Sequence, residues 1–339
     1  MKKNILWIVG VVIVLIIIVV AISMRQNAPS GNVTSNEPVK KSQEITIGMV
    51  TFPGYAPLHI AKSKGYYGNT NVKLVFIESL GELRSAMQSG TIDAYEMIYD
   101  MFQSVKDVTP EGVAFLATDE SRGADGIVAP NSITKPEDLR GKTVGTEPGF
   151  PAYLALLSYL DKGGMTLADV KFKDLPSKDV VAAYLSKSID VGGTYEPYLS
   201  ELASKAKDSH ILISTKDTSG LAVEFMWVTP KTLADKKDAL LDVARGYFKA
   251  TDLIKTNPDE AFASAAPAFG ISKEEMALFK DGIVWPDLAY NQQLLEGKGE
   301  KSASVMFPYI GDILRKNNET NITMKADDHI TDSILSQIK

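Results

Sequence analysis

The sequence predicts an α/β fold of two lobes, each a mostly parallel sheet flanked by helices, behind an N-terminal transmembrane helix. Three observations lead to this prediction. Short β-branched segments alternate with longer amphipathic segments, which is typical of parallel sheets covered by helices on both faces. A short motif from the first half of the chain recurs in the second half. Two apolar extended segments also lie where the chain could cross between lobes.

The N-terminal segment is predicted to anchor the chain in the cell membrane. Two lysines precede residues 5–22, eighteen positions that hold only Ile, Leu, Val, Ala, Gly and one Trp. A helix of about 20 residues spans the roughly 30 Å hydrocarbon core of a bilayer. Because only Arg25 follows this run, the positive-inside rule places the rest of the chain outside the cytoplasm. We therefore expect residues 1–25 to be a single-pass anchor, with a cleaved signal peptide as the alternative.

Composition limits what the rest of the chain can do. Residues 26–44 hold almost nothing to bury and are expected to form a flexible linker. When Lys2, Lys3 and Arg25 are set aside, 33 basic and 42 acidic residues remain, a net charge of −9. This balance argues against a nucleic-acid partner, which requires a basic face. The chain has no cysteine, which excludes disulfides, a thiolate nucleophile and a cysteine-based metal site.

The first lobe is predicted from residues 45–124 together with 222–339. The alternation of segments predicts strands at Ile45–Val50, Val72–Ile77, Ile92–Ile98 and Val113–Ala117, and helices at 57–66, 80–89 and 100–107. After about residue 230 the strand-like segments stop and helices follow, for example over 238–254.

The second lobe is predicted from residues 125–221. The expected strands lie near 142–146, 170–175, 189–194 and 210–214, and the expected helices near 150–162, 177–187 and 197–206. The motif Ala-x-x-Ser-x-x-Ile-Asp-small occurs at 86–94 and again at 183–191. A common helix-to-strand turn would explain the repeat, but each copy falls at the same point of its own series. The repeat therefore favours two similarly wound lobes.

Two extended segments are expected to connect the lobes. They are Ala124–Pro130 and Leu221–Thr229, both apolar and flanked by Gly, Pro or Thr. Two crossings form a hinge, and a hinge beside a cleft can close over a ligand.

The candidate site is predicted at the carboxyl ends of the strands, where open parallel sheets bind their ligands. The residues at these ends are rich in aromatic rings and carboxylates, and Arg122 is the only basic one among them. The predicted site consists of Tyr55, Tyr99, Asp100, Asp119, Ser121, Asp125, Thr146, Tyr195 and Glu196.

Each predicted site residue has a purely structural alternative. Asp100, Asp119, Glu147 and Glu196 precede helices or turns, where carboxylates cap free N–H groups. Asp125 is less open to this explanation because it lies at the mouth of a crossing strand. The tyrosines could be ordinary core residues. What favours a site is the convergence of these residues on one edge.

Catalytic motifs do not occur in the sequence. It has no Gly-x-Ser-x-Gly elbow, no phosphate-binding Gly-x4-Gly-Lys-Ser/Thr loop and no His-Glu-x-x-His motif. His59 is the one histidine expected beside the cleft, and packing is the favoured interpretation of its role. We therefore expect a binding protein without enzymatic activity, metal or cofactor.

Several motifs together resemble a known family. They are Phe52-Pro-Gly-Tyr-Ala-Pro-Leu58, Lys64-Gly-Tyr-Tyr67, Gly123-Ala-Asp-Gly-Ile-Val-Ala129, Asp138-Leu-Arg-Gly141 and Tyr195-Glu-Pro197. In this order they resemble the solute-binding proteins of nitrate/sulfonate/taurine-type ABC transporters. The resemblance implies a periplasmic-binding-protein type II fold, with two crossings, that closes on a small solute. It also implies delivery of that solute to ABC permease subunits in the membrane, and we expect a monomer.

The charge of the candidate site predicts the charge of the solute. Carboxylates and aromatic faces bind amine, amidine or quaternary nitrogen through charge-assisted hydrogen bonds and cation–π contacts. The expected ligand is therefore a small nitrogen-containing cation or an aminosulfonate-like zwitterion. A sensory receptor that uses the same cleft to signal to a membrane partner is the alternative to an importer component.

Overall fold

The computed structural model describes residues 43–105, 111–218, 220–295, 299, 301–319 and 325–338. The predicted anchor at 1–25 and nearly all of the predicted linker at 26–44 lie outside the described residues. Within the described ranges, no helix is both long enough and apolar enough to cross a membrane.

The described secondary structure alternates between strands and helices through the first two thirds of the chain. The strands are β1 (Glu44–Met49), β2 (Asn71–Phe76), β3 (Ala94–Ile98), β4 (Val113–Ser121), β5 (Asp125–Pro130), β6 (Thr143–Thr146), β7 (Lys171–Asp174), β8 (Val191–Tyr195), β9 (Ser209–Ser214), β10 (Val223–Val228) and β11 (Ile283–Val284). The helices are α1 (Ala56–Ser63), α2 (Leu80–Ser89), α3 (Tyr99–Val105), α4 (Pro151–Lys162), α5 (Val180–Leu185), α6 (Tyr198–Lys205), α7 (Pro230–Asp235), α8 (Lys237–Thr256), α9 (Pro258–Phe269), α10 (Lys273–Leu278), α11 (Leu288–Leu295) and α12 (Ala303–Lys316).

The strands form two separate sheets, one in each lobe. The first sheet has the order β11-β4-β10-β3-β1-β2 and the second has the order β7-β6-β8-β5-β9. In the first sheet β1 is parallel to β2 and β3, whereas β10 is antiparallel to β3 and β4. In the second sheet β6 is parallel to β7 and β8, whereas β5 is antiparallel to β8 and β9. Most strands of each sheet therefore run in one direction, and the strands that run the opposite way are β10 and the edge strand β11 in the first sheet and β5 in the second.

The central strands are apolar because helices cover both faces of the sheets. Every residue of β3 and of β10 is buried. Trp227 of β10 lies in the middle of the first core, where its ring stacks on Phe102 at 4.0 Å and its Nε1 donates to the Met97 carbonyl at 2.8 Å. The two Glu side chains of these strands, Glu96 and Glu224, are therefore placed in an apolar layer.

Two crossings connect the lobes and are hydrogen-bonded to each other. The first crossing runs from the end of β4 to the start of β5, and the second from the end of β9 to the start of β10. The Thr215 amide donates to the Asp125 carbonyl at 2.9 Å, and the Gly123 amide donates to Thr215 Oγ1 at 2.8 Å. Ser121 Oγ and Thr215 Oγ1 are 2.7 Å apart. Because the crossings are bonded together, they form one hinge.

The lobes are in contact in this structure. Phe150, Tyr153 and Leu157 of the second lobe belong to the same buried hydrophobic cluster as the core of the first lobe. At the edge of this contact, the Leu167 amide donates to Asn317 Oδ1 at 2.9 Å. The structure therefore shows the cleft closed.

Candidate functional site

Four carboxylates are buried where the crossings leave the sheets, and we call Glu96, Asp119, Asp125 and Glu224 the carboxylate cluster. None of the four is more than 6% exposed. Asp119 lies near the end of β4 and Asp125 opens β5, while Glu224 lies near the start of β10 and pairs in register with Asp119. Opposite residues of antiparallel strands lie about 5 Å apart, so this pairing puts two acids side by side.

Five oxygens of the cluster have no hydrogen-bond partner among the described residues. They are both carboxylate oxygens of Asp119, Oδ2 of Asp125, Oε2 of Glu224 and Oε1 of Glu96. The other contacts are few. Thr118 Oγ1 donates to Glu96 Oε2 at 2.6 Å, the Tyr55 hydroxyl lies within hydrogen-bonding reach of Glu224, and the Ser121 hydroxyl lies within reach of Asp125. A buried polar group without a partner costs roughly 1–3 kcal/mol. Such an arrangement points to a ligand that supplies the missing donors.

Burial also makes the charged form of these acids unfavourable. It raises the pKa of Glu96 to about 8 and the pKa of Asp125 to about 7. Burial, followed by the charge of Glu224, raises the pKa of Asp119 well above its usual range, and burial with the charge of Glu96 does the same for Glu224. A cation at this position would reverse these shifts, because an opposite charge favours the carboxylate.

Glu120, the neighbour of Asp119, is also buried but is fully paired. It accepts from Arg122 Nη2 at 2.7 Å and from the Tyr290 hydroxyl at 2.6 Å. The Gly220 amide and Lys301 Nζ also contact it, at 3.0 and 3.4 Å. Arg122, the lone base of the predicted site, therefore neutralises Glu120 and not the carboxylate cluster.

Five aromatic rings run from one lobe to the other, and we call Phe52, Tyr55, Phe150, Tyr195 and Tyr198 the aromatic bridge. Phe52 of the first lobe meets Tyr195 of the second lobe edge to face at 6.0 Å, and also meets Tyr55 at 5.8 Å. Tyr195 in turn stacks on Phe150 at 5.9 Å. The rings thus place several π-faces close to the acids.

A small cavity lies between the cluster and the bridge. It has a volume of about 10 Å³ and is lined by Asp125 and Glu224 together with Phe52, Phe150 and Tyr195. A cavity of this size holds about one water molecule. A larger solute therefore requires the lobes or the rings to move apart.

The turn before α1 brings the first lobe onto the cluster. Pro53–Tyr55 form a single 3₁₀ turn, and the Gly54 carbonyl accepts from Trp285 Nε1 at 2.8 Å. A Cβ at position 54 would lie 2.5 Å from Asp119 Oδ2 and 2.4 Å from the Phe52 ring. Glycine is therefore required here so that the backbone can pack against the Asp119 carboxylate.

Comparison with known proteins assigns the family. The model of the NMT1/THI5-like family matches residues 53–261, more than half of the chain. This chain belongs to the NMT1/THI5-like family.

Curated relatives of this NMT1/THI5-like protein are binding proteins. It is 24% identical over 248 residues to the riboflavin-binding protein RibY of Chloroflexus aurantiacus, and the match spans 65% of each chain. It is 25% identical over 148 residues to the taurine-binding periplasmic protein of Escherichia coli, with 43% of this chain and 45% of that protein covered.

Two solved structures with the same fold are described as binding a sulphonate and nitrate. The aliphatic sulphonate-binding protein SsuA of Escherichia coli matches with a TM-score of 0.69 at 16% identity, covering 85% of this chain and 92% of that one. The nitrate-binding protein NrtA of Synechocystis PCC 6803 matches with a TM-score of 0.67 at 15% identity, covering 88% of both. The two-lobed periplasmic-binding-protein fold and the family resemblance predicted from the sequence are therefore confirmed.

The structure of the NMT1/THI5-like protein brings five of the nine predicted site residues together. Tyr55, Asp119, Ser121, Asp125 and Tyr195 lie at the hinge or on the aromatic bridge. Thr146 is buried in the second sheet, where its Oγ1 has no partner among the described residues and would lie 2.8 Å from a Cβ at Gly193.

The remaining three predicted residues have structural contacts of their own. Glu196 accepts from the amide and the hydroxyl of Ser200, at 3.1 and 2.7 Å, so it caps α6 as the alternative interpretation proposed. Tyr99 stacks on Phe307 of α12 at 3.8 Å. Tyr99 therefore packs against α12. Burial, followed by the charge of Glu319, raises the pKa of the adjacent Asp100 to about 7.

Sequence reasoning missed Glu96 and Glu224. It considered only the carboxyl ends of strands, whereas β10 runs antiparallel and brings its amino end to the same edge. The available signal was a lone Glu inside each of two otherwise apolar strands, Ala94–Ile98 and Val223–Val228.

Other cavities are larger but lack these features. One of about 300 Å³ beside Asp93 and Thr232 and one of about 550 Å³ beside Lys187 and Ser209 lie away from the crossings, and no member of the carboxylate cluster lines either. In the described part of the chain, no group of three or more His, Cys, Asp or Glu residues is arranged to hold a metal ion.

Proposed function

We propose that this protein is the extracytoplasmic substrate-binding component of an ABC importer and has no enzymatic activity. It binds a small nitrogen-containing solute in the interlobe cleft and delivers it to permease subunits in the membrane. The family match, the two-lobed fold and the taurine-binding relative support the transport role.

The assignment of the solute class rests on the carboxylate oxygens that lie beneath the aromatic bridge without a hydrogen-bond partner. An amine or amidinium would donate hydrogen bonds to Asp119, Asp125 and Glu224. Its charge would also lie near the faces of Phe52 and Tyr195, where cation–π attraction adds to the binding. Because Arg122 and Lys301 already contact Glu120, the cluster retains its preference for a cation.

A zwitterion of the aminosulfonate type is the second candidate. Two helices, α1 and α4, begin near the cleft, and their N-cap residues Tyr55 and Phe150 make no side-chain cap hydrogen bond. Amide groups at helix N-termini bind acid groups well. In such a ligand the ammonium would contact the carboxylate cluster while the acid group lies at a helix end.

A thermal-shift screen of the full-length chain in detergent tests this proposal. The panel contains small amines, amidines, quaternary ammonium compounds, aminosulfonates, plain sulfonates and nitrate. A ligand present at roughly 100 times its Kd stabilises the folded protein by about 2.7 kcal/mol. We expect stabilisation by cations or zwitterions and none by plain anions.

The matched variants are Asp125→Asn and Asp259→Asn. Both remove one negative charge, but Asp125 belongs to the cluster whereas Asp259 is exposed. Asp125→Asn should weaken binding by about 1–3 kcal/mol, the cost of losing a charged hydrogen bond. The solute class is wrong if only plain anions bind, or if Asp125→Asn binds as tightly as Asp259→Asn.

A further inference from the structure

We infer that ionisation of the carboxylate cluster holds the two lobes apart, and that either a bound cation or protons in its place allow them to close. This inference rests on the proposed function and describes how the same site is regulated.

Three acids of the cluster lie at the hinge between the lobes. Asp119 and Asp125 flank the first crossing, and Glu224 begins the strand that follows the second. These residues are therefore where the backbone must turn when the lobes rotate. A change in the charge of the cluster therefore affects the residues about which the lobes rotate.

Aromatic rings of the second lobe cover the acids at the cavity in the closed arrangement. Phe150 and Tyr195 of the second lobe line the small cavity opposite Glu224. Tyr195 reaches the first lobe through its contact with Phe52 at 6.0 Å. In this closed arrangement the unpartnered oxygens have less than 1 Å² of accessible surface each. Separating the lobes removes this cover from Asp125 and Glu224, the two acids that line the cavity.

Charged and titratable side chains surround the cluster. Of the described basic residues, Arg122 and Lys301 lie at this end of the first sheet, and both contact Glu120. The titratable groups that face the cluster are Glu96 from β3, Asp119 and Glu120 from β4, Asp125 from β5, Glu224 from β10, Tyr195 from β8, Glu196 from the segment after β8, Tyr55 from the 3₁₀ turn, Tyr67 from the segment after α1 and Tyr247 from α8.

These groups make closure unfavourable while the acids are ionised. Burial of an ion without a partner is strongly disfavoured, and like charges at short range repel. Burial raises the pKa of every member of the cluster in the closed form, and repulsion by other members adds to this effect for Asp119 and Glu224. Protons or a cation therefore bind the closed form more tightly than the open form, which shifts the population toward closure.

The absence of cysteine from the chain permits a direct test. Gln88→Cys and Lys178→Cys introduce one exposed labelling position in each lobe. Spin labels at these positions report the distance between the lobes in the full-length chain, held in detergent with no solute added. We expect a short distance at about pH 5 and a growing long-distance population toward about pH 9, with a change of about tenfold per pH unit for each proton exchanged.

The double variant Asp119→Asn/Glu224→Gln should keep the short distance at both pH values, while Asp259→Asn should follow the wild type. If the double variant does not fold, Glu96→Gln alone should lower the long-distance population at high pH. A wild-type distance that is the same at both pH values overturns the inference, and so does a transition that persists unchanged in the neutralised variants.

This test is independent of the proposed function because it uses no solute. If the distance does not respond to pH but amines bind, only the charge-controlled closure is wrong. If the distance responds but no cation or zwitterion binds, only the assignment of the solute fails.

Discussion

At the scale of single residues, Asp119 and Glu120 show two opposite ways to bury an acid. Successive residues of a strand point to opposite faces, so Glu120 reaches Arg122 and Tyr290 while Asp119 packs against the turn at Gly54. Glu120 has a partner for each oxygen, whereas Asp119 has none among the described residues. Glu120 therefore stabilises the hinge, whereas the burial of Asp119 costs stability, which the proposed function explains by a role in binding.

A pair of neutral variants should show this difference. Asp119→Asn removes an unfavourable buried acid and should raise the free energy of unfolding at neutral pH by about 1–3 kcal/mol while it weakens cation binding. Glu120→Gln breaks a buried ion pair and should lower the free energy of unfolding by about 2–4 kcal/mol. Denaturant midpoints measure both. Changes of the same sign in the two variants would contradict these roles.

The pH dependence of stability follows from the raised pKa values. Glu96 has a pKa of about 8 and Asp125 a pKa of about 7 in the folded protein, well above their ordinary 4.5 and 3.8. A raised carboxyl pKa means that the folded state binds the proton more tightly. The resulting stabilisation is present below about pH 4 and is lost as the pH rises through about 7 to 8.

Thermal unfolding of the ligand-free protein at about pH 5 and about pH 8.5 measures this loss. Glu96→Gln should reduce the difference between the two melting temperatures, because glutamine does not titrate. Glu201→Gln changes an exposed acid on α6 and serves as the control. Equal pH dependence in wild type and Glu96→Gln would show that Glu96 is ionised in the fold.

At the scale of secondary-structure elements, the turn Pro53–Tyr55 is the part most sensitive to substitution. Gly54→Ala should push the Asp119 carboxylate and the Phe52 ring aside, which lowers stability by about 1–3 kcal/mol and weakens cation binding. Gly81→Ala in α2 meets nothing within 4 Å and should raise stability by up to about 1 kcal/mol. Equal effects on binding would exclude a role for the turn in the site.

The elements also show how far the sequence could predict the site. The strand–helix alternation and the two crossings followed from local patterns of apolar residues, and the structure has them within a few residues. The direction of β10 within the sheet depends on long-range pairing, so the position of Glu224 could not be predicted. The cap on α6 was foreseen as an alternative for Glu196, and the structure shows its bond to the Ser200 amide.

At the scale of the whole molecule, Thr215 joins the two crossings. Its hydroxyl contacts Ser121 Oγ and the Gly123 amide, and its amide contacts the Asp125 carbonyl. Thr215→Val should lower the free energy of unfolding by about 1–3 kcal/mol and broaden the distribution of distances between labels in the two lobes. Thr256→Val, which loses one exposed hydroxyl contact, is the control. An unchanged distribution would mean that the crossings move independently of this residue.

The placement of the acids on the crossings has an evolutionary consequence. Asp119, Asp125 and Glu224 lie on strands and not on helices. Under the proposed function, exchange of one of these acids for its amide would change the charge that the site presents to a solute, while a side chain of the same size fills the same space. A lineage with this architecture could therefore come to accept a solute of different charge through very few substitutions.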